Sequence, residues 1–225
     1  MRFEGFSPKA LEFLAELQGN NNKKWFEEKR SDYEELILIP LRKLVIDLGP
    51  LMNSIDPLIE LQPAVNKTIS RIYRDTRFSK DKRVFRDHMW VTFKHPRKDW
   101  NDRPSWWFEI MPNGFTFGMG FYQASPKTTL AFRNKIDHDI AAFRKVIDFF
   151  PGKPKFRLRG DVYKKKFNYF LPENIQTWYQ RKNMYVICKR PVEEILFSEN
   201  LVDYISKGFE QLIPLYNYWL EISPN

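Results

Sequence analysis

Residues 71–88 read R-I-Y-R-D-T-R-F-S-K-D-K-R-V-F-R-D-H, with seven basic and three acidic side chains. Arg71, Arg74, Arg77, Lys80, Lys82, Arg83 and Arg86 are interleaved with Asp75, Asp81 and Asp87. A planar guanidinium fork suits two-point recognition of a carboxylate or phosphate. Asp75 and Asp81 are spaced to orient such forks. On a helix, Arg71, Arg74 and Asp75 share a face with Phe78; on a strand, Arg71, Tyr73, Asp75 and Arg77 share one. Either geometry gathers at least two arginines. His88 closes the segment beside Asp87 and can titrate near neutrality, which makes it the best general acid or base, with Tyr73 as a second proton carrier. The competing reading is a solvated, self-neutralised surface anchored by Tyr73, Phe78 and Phe85.

A second basic stretch, K-F-R-L-R-G-D-V-Y-K-K-K-F-N-Y-F, spans 155–170. As a strand it puts Lys155, Arg157 and Arg159 on one face, with Phe156 and Leu158 on the other. Lys164, Lys165 and Lys166 then precede Phe167, Tyr169 and Phe170. Cations beside exposed rings serve single-stranded nucleic acid, so nucleic acid is a candidate partner, although no recognised nucleic-acid motif is present. Asn20-Asn21-Asn22 before Lys23-Lys24 has the makings of an anion-binding helix start, but capping and turning explain the asparagines more simply.

Other chemistries find no support. There is no P-loop, no G-x-S-x-G and no strand-linked G-x-G-x-x-G. Gly118 and Gly120 alternate inside a strand and read as a packing feature. Cys188 lies in V-I-C-K-R, a buried strand, and reads as an inert core thiol. His88, His95 and His138 lack metal-ligand spacing, so no metal and no cofactor is expected.

Several elements must position these groups. Ser7-Pro8 and Ser125-Pro126 are cap-plus-proline helix starts. Leu11, Leu14 and Leu17 mark a first helix ending at Gly19-Asn20. Asn22 caps a second that runs through Trp25, Phe26, Tyr33 and Ile37. Pro40 predicts a kink, and Gly49-Pro50 predicts the end of the helix that follows. His88–Lys94 and Ser105–Met111 read as strands. Pro112-Asn113-Gly114 is a turn, and Phe115, Phe117, Met119 and Phe121 form the aromatic face of the returning strand. Leu130, Arg133, Ile136, Ile140, Phe143 and Ile147 predict one long amphipathic helix over 125–150, stopped by Pro151-Gly152. Lys155–Arg159 and Met184–Lys189 read as strands, and Ser198 caps a last helix that Pro214 kinks. The order predicts an α+β fold whose mainly antiparallel sheet is flanked by N-terminal, central and C-terminal helices. We expect one domain over 1–225: helical at 7–60, sheet-rich at 67–122, with a helix at 125–150 and strands and a helix at 153–222.

The 225 residues include 37 basic and 28 acidic side chains, a net charge of +9. By segment the balance is −3 over 1–66, +7 over 67–103, +1 over 104–152, +9 over 153–191 and −5 over 192–225. The charge therefore sits in two blocks, which bears on partners rather than on fold. With 43% hydrophobic and 16% aromatic residues, global disorder is excluded. One cysteine excludes an intramolecular disulfide framework. No apolar run reaches a membrane span of about 18 residues, and M-R-F-E-G is not a signal peptide, so a cytoplasmic protein without a membrane partner is expected. The oligomeric state stays open.

The chain resembles the family called domain of unknown function 2461, a conserved hypothetical protein. The resemblance is carried by N-N-N-K-K-W-F-E-E at 20–28, R-I-Y-R-D-T-R-F-S-K-D-K at 71–82, F-G-M-G-F-Y at 117–122 and Arg133. Gly160-Asp161 and the closing F-E-Q-L-I-P-L-Y are similar too. It implies one domain and a site at 71–82, but the family has no established activity, cofactor or substrate. We expect an anionic small molecule, carrying phosphate or carboxylate, to be clamped by Arg71, Arg74 and Arg77 with Lys80, Lys82 and Arg86. Asp75 and Asp81 orient the clamp, and Trp106, Phe117, Tyr122 and Arg133 are the expected lining. The alternatives are a nucleic-acid module built from both basic blocks, and a protein-interaction domain without catalysis.

Overall fold

The computed structural model describes residues 2–148, 155–165, 167–168 and 170–224. Extended Ser7 and Pro8 open α1 (Pro8–Gly19), whose Leu11, Leu14 and Leu17 are buried. Ser7 occupies the cap position without a side-chain bond, a departure from the expected cap. Asn22 Oδ1 accepts from Trp25 N and caps α2 (Lys23–Glu28). A break at Lys29 separates it from α3 (Arg30–Tyr33).

The kink expected at Pro40 takes the form of a π-helical turn, Glu34–Leu38, just before α4 (Ile39–Ile55). Widening the turn accommodates the ring where a regular helix would need an N–H. Beyond it α4 passes through Gly49-Pro50, where an end was expected. Leu41, Leu44, Val45, Leu48 and Met52 form one buried stripe that continues past the proline. Packing of that stripe outweighs the lost hydrogen bond.

The strands are β1 (Met89–Phe93), β2 (Pro104–Met111), β3 (Gly114–Phe121), β4 (Arg157–Arg159) and β5 (Tyr185–Arg190). They form one antiparallel sheet in the order β1-β2-β3-β5-β4. At the β2–β3 turn Gly114 has φ +144°, and an added Cβ would lie 2.1 Å from Arg190 O. At Gly120 an added Cβ would lie 2.3 Å from Tyr185 Cβ, so the expected close packing is real at this position.

The long helix expected over 125–150 is two helices. Ser125 Oγ caps α5 (Pro126–His138), and Asp139 then leaves helical geometry and caps α6 (Ile140–Val146) through Ala142 N. The aspartate competes for the backbone just where a continuous helix would need it as an interior residue. Leu130, assigned to the apolar face, is exposed. The stop at Pro151-Gly152 lies outside the described residues. α7 (Glu173–Tyr179) had no periodic signal strong enough to be expected. α8 (Asn200–Leu220) continues through Pro214, and Asn200 N donates to Ser198 Oγ. The fold is α+β.

Residues group into two compact units. The first is Met1–Phe93, Trp107–Phe117 and Lys189–Ser206. Its core includes Phe3, Phe6, Phe108 and Phe115, with Phe6 stacked on Phe108 at 5.8 Å. The second is Lys94–Trp106, Gly118–Cys188 and Lys207–Asn225. Its core includes Trp106, Phe132, Phe143, Trp178 and Trp219. Cys188 is buried on β5, as a core thiol should be.

Candidate functional site

Residues 71–88 form neither a helix nor a regular strand but an irregular hairpin in the first unit. Antiparallel contacts stitch its two arms. Tyr73 bridges Phe85, Arg74 N donates to Val84 O at 2.8 Å, and Arg86 N donates to Ile72 O at 2.9 Å. The base of the hairpin continues along β1, where Ile69 bridges Val91. Ile72 and Phe85 turn inward, and the Phe85 ring stacks on Phe26 of α2 at 4.3 Å. Asn21 then clamps the same position from outside the hairpin. Its Oδ1 accepts from Phe85 N at 2.9 Å and its Nδ2 donates to Phe85 O at 3.0 Å. An amide side chain thus completes the pairing that a neighbouring strand would supply. Asn20–Asn22 read as turn and cap residues in the sequence; nothing local distinguished this long-range role for Asn21.

The arginines meet their own carboxylates first. Arg77 grips Asp75 through Nε at 2.9 Å and Nη2 at 2.7 Å. Those side-chain bonds, followed by the Arg77 backbone N–H, hold the Asp75 carboxyl down at about 2. Arg71 adds to the field on Asp75 but makes no ion pair among the described residues. Asp81 receives two guanidiniums, Arg83 at 2.8 Å and Arg74 at 2.5 Å. Bonds from Arg83 first, then Arg74, hold its carboxyl well below the usual carboxylate range. Lys82 Nζ donates to Thr76 O at 3.0 Å. Arg86 Nε donates to Arg71 O, and its guanidinium lies 5.0 Å from the Trp90 ring centre. Lys80 is exposed without an ion pair among the described residues.

His88 sits between two acids. Its Nδ1 is 2.7 Å from Asp87 Oδ1, and its Nε2 is 3.8 Å from Glu109 Oε1. Gln18 Nε2 donates to Asp87 Oδ2 at 2.7 Å. Burial pushes the Asp87 carboxyl up, but the bonds from His88 and Gln18 outweigh it and leave the group below its ordinary value. The imidazole stacks on Trp90 at 5.6 Å and is partly exposed. A carboxylate on Nδ1 fixes the ring's orientation. Tyr73 is partly exposed, and its ring lies 4.9 Å from that of Phe85.

The expected lining residues divide by burial. Phe117 in the first unit is fully buried against Tyr204 at 5.6 Å. Trp106 in the second is fully buried against Phe209 and Tyr216. Neither ring reaches solvent. Tyr122, also in the second unit, is exposed and leans on Trp100 at 5.3 Å. Lys94 Nζ stands 3.4 Å from the Trp100 ring centre, and burial lowers its pKa. Arg133 on α5 is 8% exposed, with its guanidinium against Tyr163 and Phe167. On β4, Arg157 and Arg159 are exposed while Leu158 is buried, the alternation expected of that strand.

Among the described residues no group of three or more His, Cys, Asp or Glu is placed to hold a metal ion. No helix among them is long and apolar enough to cross a membrane.

An antiparallel α+β protein with an arginine-rich hairpin pinned by an N-terminal asparagine is the class that fold and site define. The chain belongs to the conserved hypothetical protein family DUF2461, whose pattern matches residues 9–218. No curated protein matches the chain.

Proposed function

We propose that the hairpin at 71–88 binds a small molecule through a phosphate or carboxylate group. The observation that carries this reading is the state of its cations. Asp75 holds Arg77 and Asp81 holds Arg83 side-on through Nε and Nη2, so those two guanidinium planes are already oriented, while Arg74 meets Asp81 through Nη1 alone. Arg71 and Lys80 keep their charges without an ion pair among the described residues. An incoming oxyanion would take Arg71 and Lys80 directly and share the oriented forks with Asp75 and Asp81. Charge-assisted bonds of this kind are about twice as strong as neutral ones. If the bound molecule is also transformed, His88 Nε2 is the proton-carrying atom and Asp87 its orienting base, with Tyr73 as the second candidate.

The test is a thermal-shift screen of phosphorylated metabolites, dicarboxylates and short oligonucleotides at two salt concentrations. A ligand at 100 times its dissociation constant should add about 2.7 kcal/mol of stability. The double variant R71A/K80A should keep the wild-type melting temperature and lose most of that response. An unchanged response in the variant would refute the assignment. Exposed Arg157 and Arg159 favour nucleic acid as a second reading. That reading requires an oligonucleotide response that falls steeply with salt.

A further inference from the structure

Among the described residues, Arg133 is a buried cation without an anionic partner. Its guanidinium makes no hydrogen bond or ion pair among the described residues, and Nη1 is sealed from solvent with no partner. Every aspartate and glutamate side chain of the sequence lies among the described residues, and none of them forms an ion pair with Arg133. Asp137, one helical turn along α5, is the natural partner by spacing. Its oxygens accept from other donors, Tyr179 Oη at 2.6 Å and Asn168 Nδ2 at 3.3 Å, and no contact to Arg133 joins them. Buried charges are ordinarily paired, because desolvation of an unpaired one is costly.

The surroundings of Arg133 are built rather than incidental. Its guanidinium lies 5.1 Å from the Tyr163 ring centre and 4.6 Å from that of Phe167. Two glutamines of the α7 region hold the loop that carries those rings. Gln180 Nε2 donates to Tyr163 O at 2.8 Å, and Gln180 Oε1 accepts from Phe167 N at 3.1 Å. Gln176 Nε2 donates to Phe167 O at 3.0 Å, while Gln176 Oε1 is a second buried polar atom without a partner. Thr129 Oγ1, one turn before Arg133, meets Tyr163 Oη at 3.4 Å. Tyr163 also lines an open depression of about 560 Å³, together with Asp161, Val162, Lys164, Lys165 and Lys182, three lysines to one carboxylate.

We propose that Arg133 anchors an oxyanion of a small multiply charged ligand, with a second charged group of that ligand lying in the lysine-lined depression at Tyr163. The guanidinium edge is the two-point donor that a carboxylate or phosphate fits. Its two aromatic neighbours exclude water, which strengthens the contact. Entry requires the Tyr163 ring to swing off the guanidinium. This site is separate from the hairpin at 71–88 and does not depend on it.

The probes are inorganic pyrophosphate and citrate at low salt, read by calorimetry and by melting temperature on the full chain. At 100 times the dissociation constant either should raise the wild-type melting temperature by about 5–10 °C, and the stronger probe names the ligand's anionic group. R133M removes the charge and keeps much of the volume. It should melt at or above the wild type without ligand and bind about 100-fold more weakly. K164Q/K165Q/K182Q should leave the unliganded melt unchanged and weaken binding by about tenfold. Should R133M not fold, R133K decides. It keeps the charge and the ring contacts but loses the fork, so weakened binding supports the site and wild-type binding overturns it. No binding of either probe by the wild type would overturn it, as would R133M binding like the wild type. Because the hairpin at 71–88 is also read as taking phosphate or carboxylate, each of these comparisons is made in the R71A/K80A background, where the remaining response is the one Arg133 must account for, so failure of one site is read separately from failure of the other.

Discussion

In the hairpin at 71–88, seven cations stand among three carboxylates, and Arg74, Arg77 and Arg83 pair with them largely at the surface. On α5 one guanidinium is buried with no carboxylate partner among the described residues. The two regions sit at opposite ends of the electrostatic scale. Exposed pairs are screened by salt and contribute little to stability. An unpaired buried charge costs on the order of 3–5 kcal/mol when its partner is removed. A dense run of arginines therefore marks a charged surface, while the state of pairing marks where a ligand is proposed. The hairpin has oriented forks and cations without an ion pair among the described residues. Arg133 is buried without a carboxylate partner among them.

The comparison can be broken or sharpened in four ways, largest effect first. Phe26→Ala removes the ring on which Phe85 stacks, beneath the hairpin. It should cost about 3–5 kcal/mol in urea denaturation. A cost below about 1 kcal/mol would mean that the hairpin does not rest on α2. Asn21→Ala strips both backbone partners from Phe85. It should cost about 1–3 kcal/mol and speed hydrogen exchange at Phe85 N. Exchange at the wild-type rate would dismiss the clamp.

Acid comes third. The Asp75 carboxyl has an ordinary value of 3.8 and is held at about 2 by Arg77, so its folded value is depressed. The contribution of such a group is complete above the ordinary value and is lost as pH falls through the folded one. The Asp75 carboxylate should stay ionised from neutrality to about pH 3 and be half protonated near pH 2, and the stability that the Arg77 contact contributes should fall away between about pH 4 and about pH 2. Carboxylate NMR shifts would follow this directly, and an Asp75 that titrates at its ordinary value would contradict the pairing. Fourth and smallest, Arg77→Ala breaks an exposed pair. Its melting temperature should match the wild type within the error of a scan, and a drop of several degrees would show that the hairpin depends on surface charge.

Much of the fold was legible because its signals are local. The alternation of Phe115, Phe117, Met119 and Phe121 across Pro112-Asn113-Gly114 defined the β2–β3 hairpin, and Asn22 marked the start of α2. Local signals also misled. Gly49-Pro50 looked like an end because one missing hydrogen bond is visible in sequence, whereas the packing of Met52 is not. Ser125 to Ile147 kept helical spacing across Asp139, so the break between α5 and α6 was hidden by its own periodicity. Trp106 and Phe117 have the residue types of a binding wall, but sheet packing buries them.

For the candidate sites the same division holds. The arginines and aspartates of 71–88 were evident, because charge interleaving is a property of neighbours. Which carboxylate takes which fork depends on the turn between them. The clamp by Asn21 joins residues 64 positions apart, so the sequence alone could not reveal it. Arg133 left one trace: a cation at an apolar-stripe position between Phe132 and Ile136, both buried. That it lacks a carboxylate partner among the described residues is a tertiary fact, since Asp137 one turn away meets Tyr179 and Asn168 instead.

The most direct test of the proposed oxyanion binding is hydrogen–deuterium exchange on the full chain, with and without saturating pyrophosphate at low salt. The account predicts slower exchange in two segments, 71–86 and 162–167, and little change elsewhere. Exchange in both segments unaltered by the anion would contradict it.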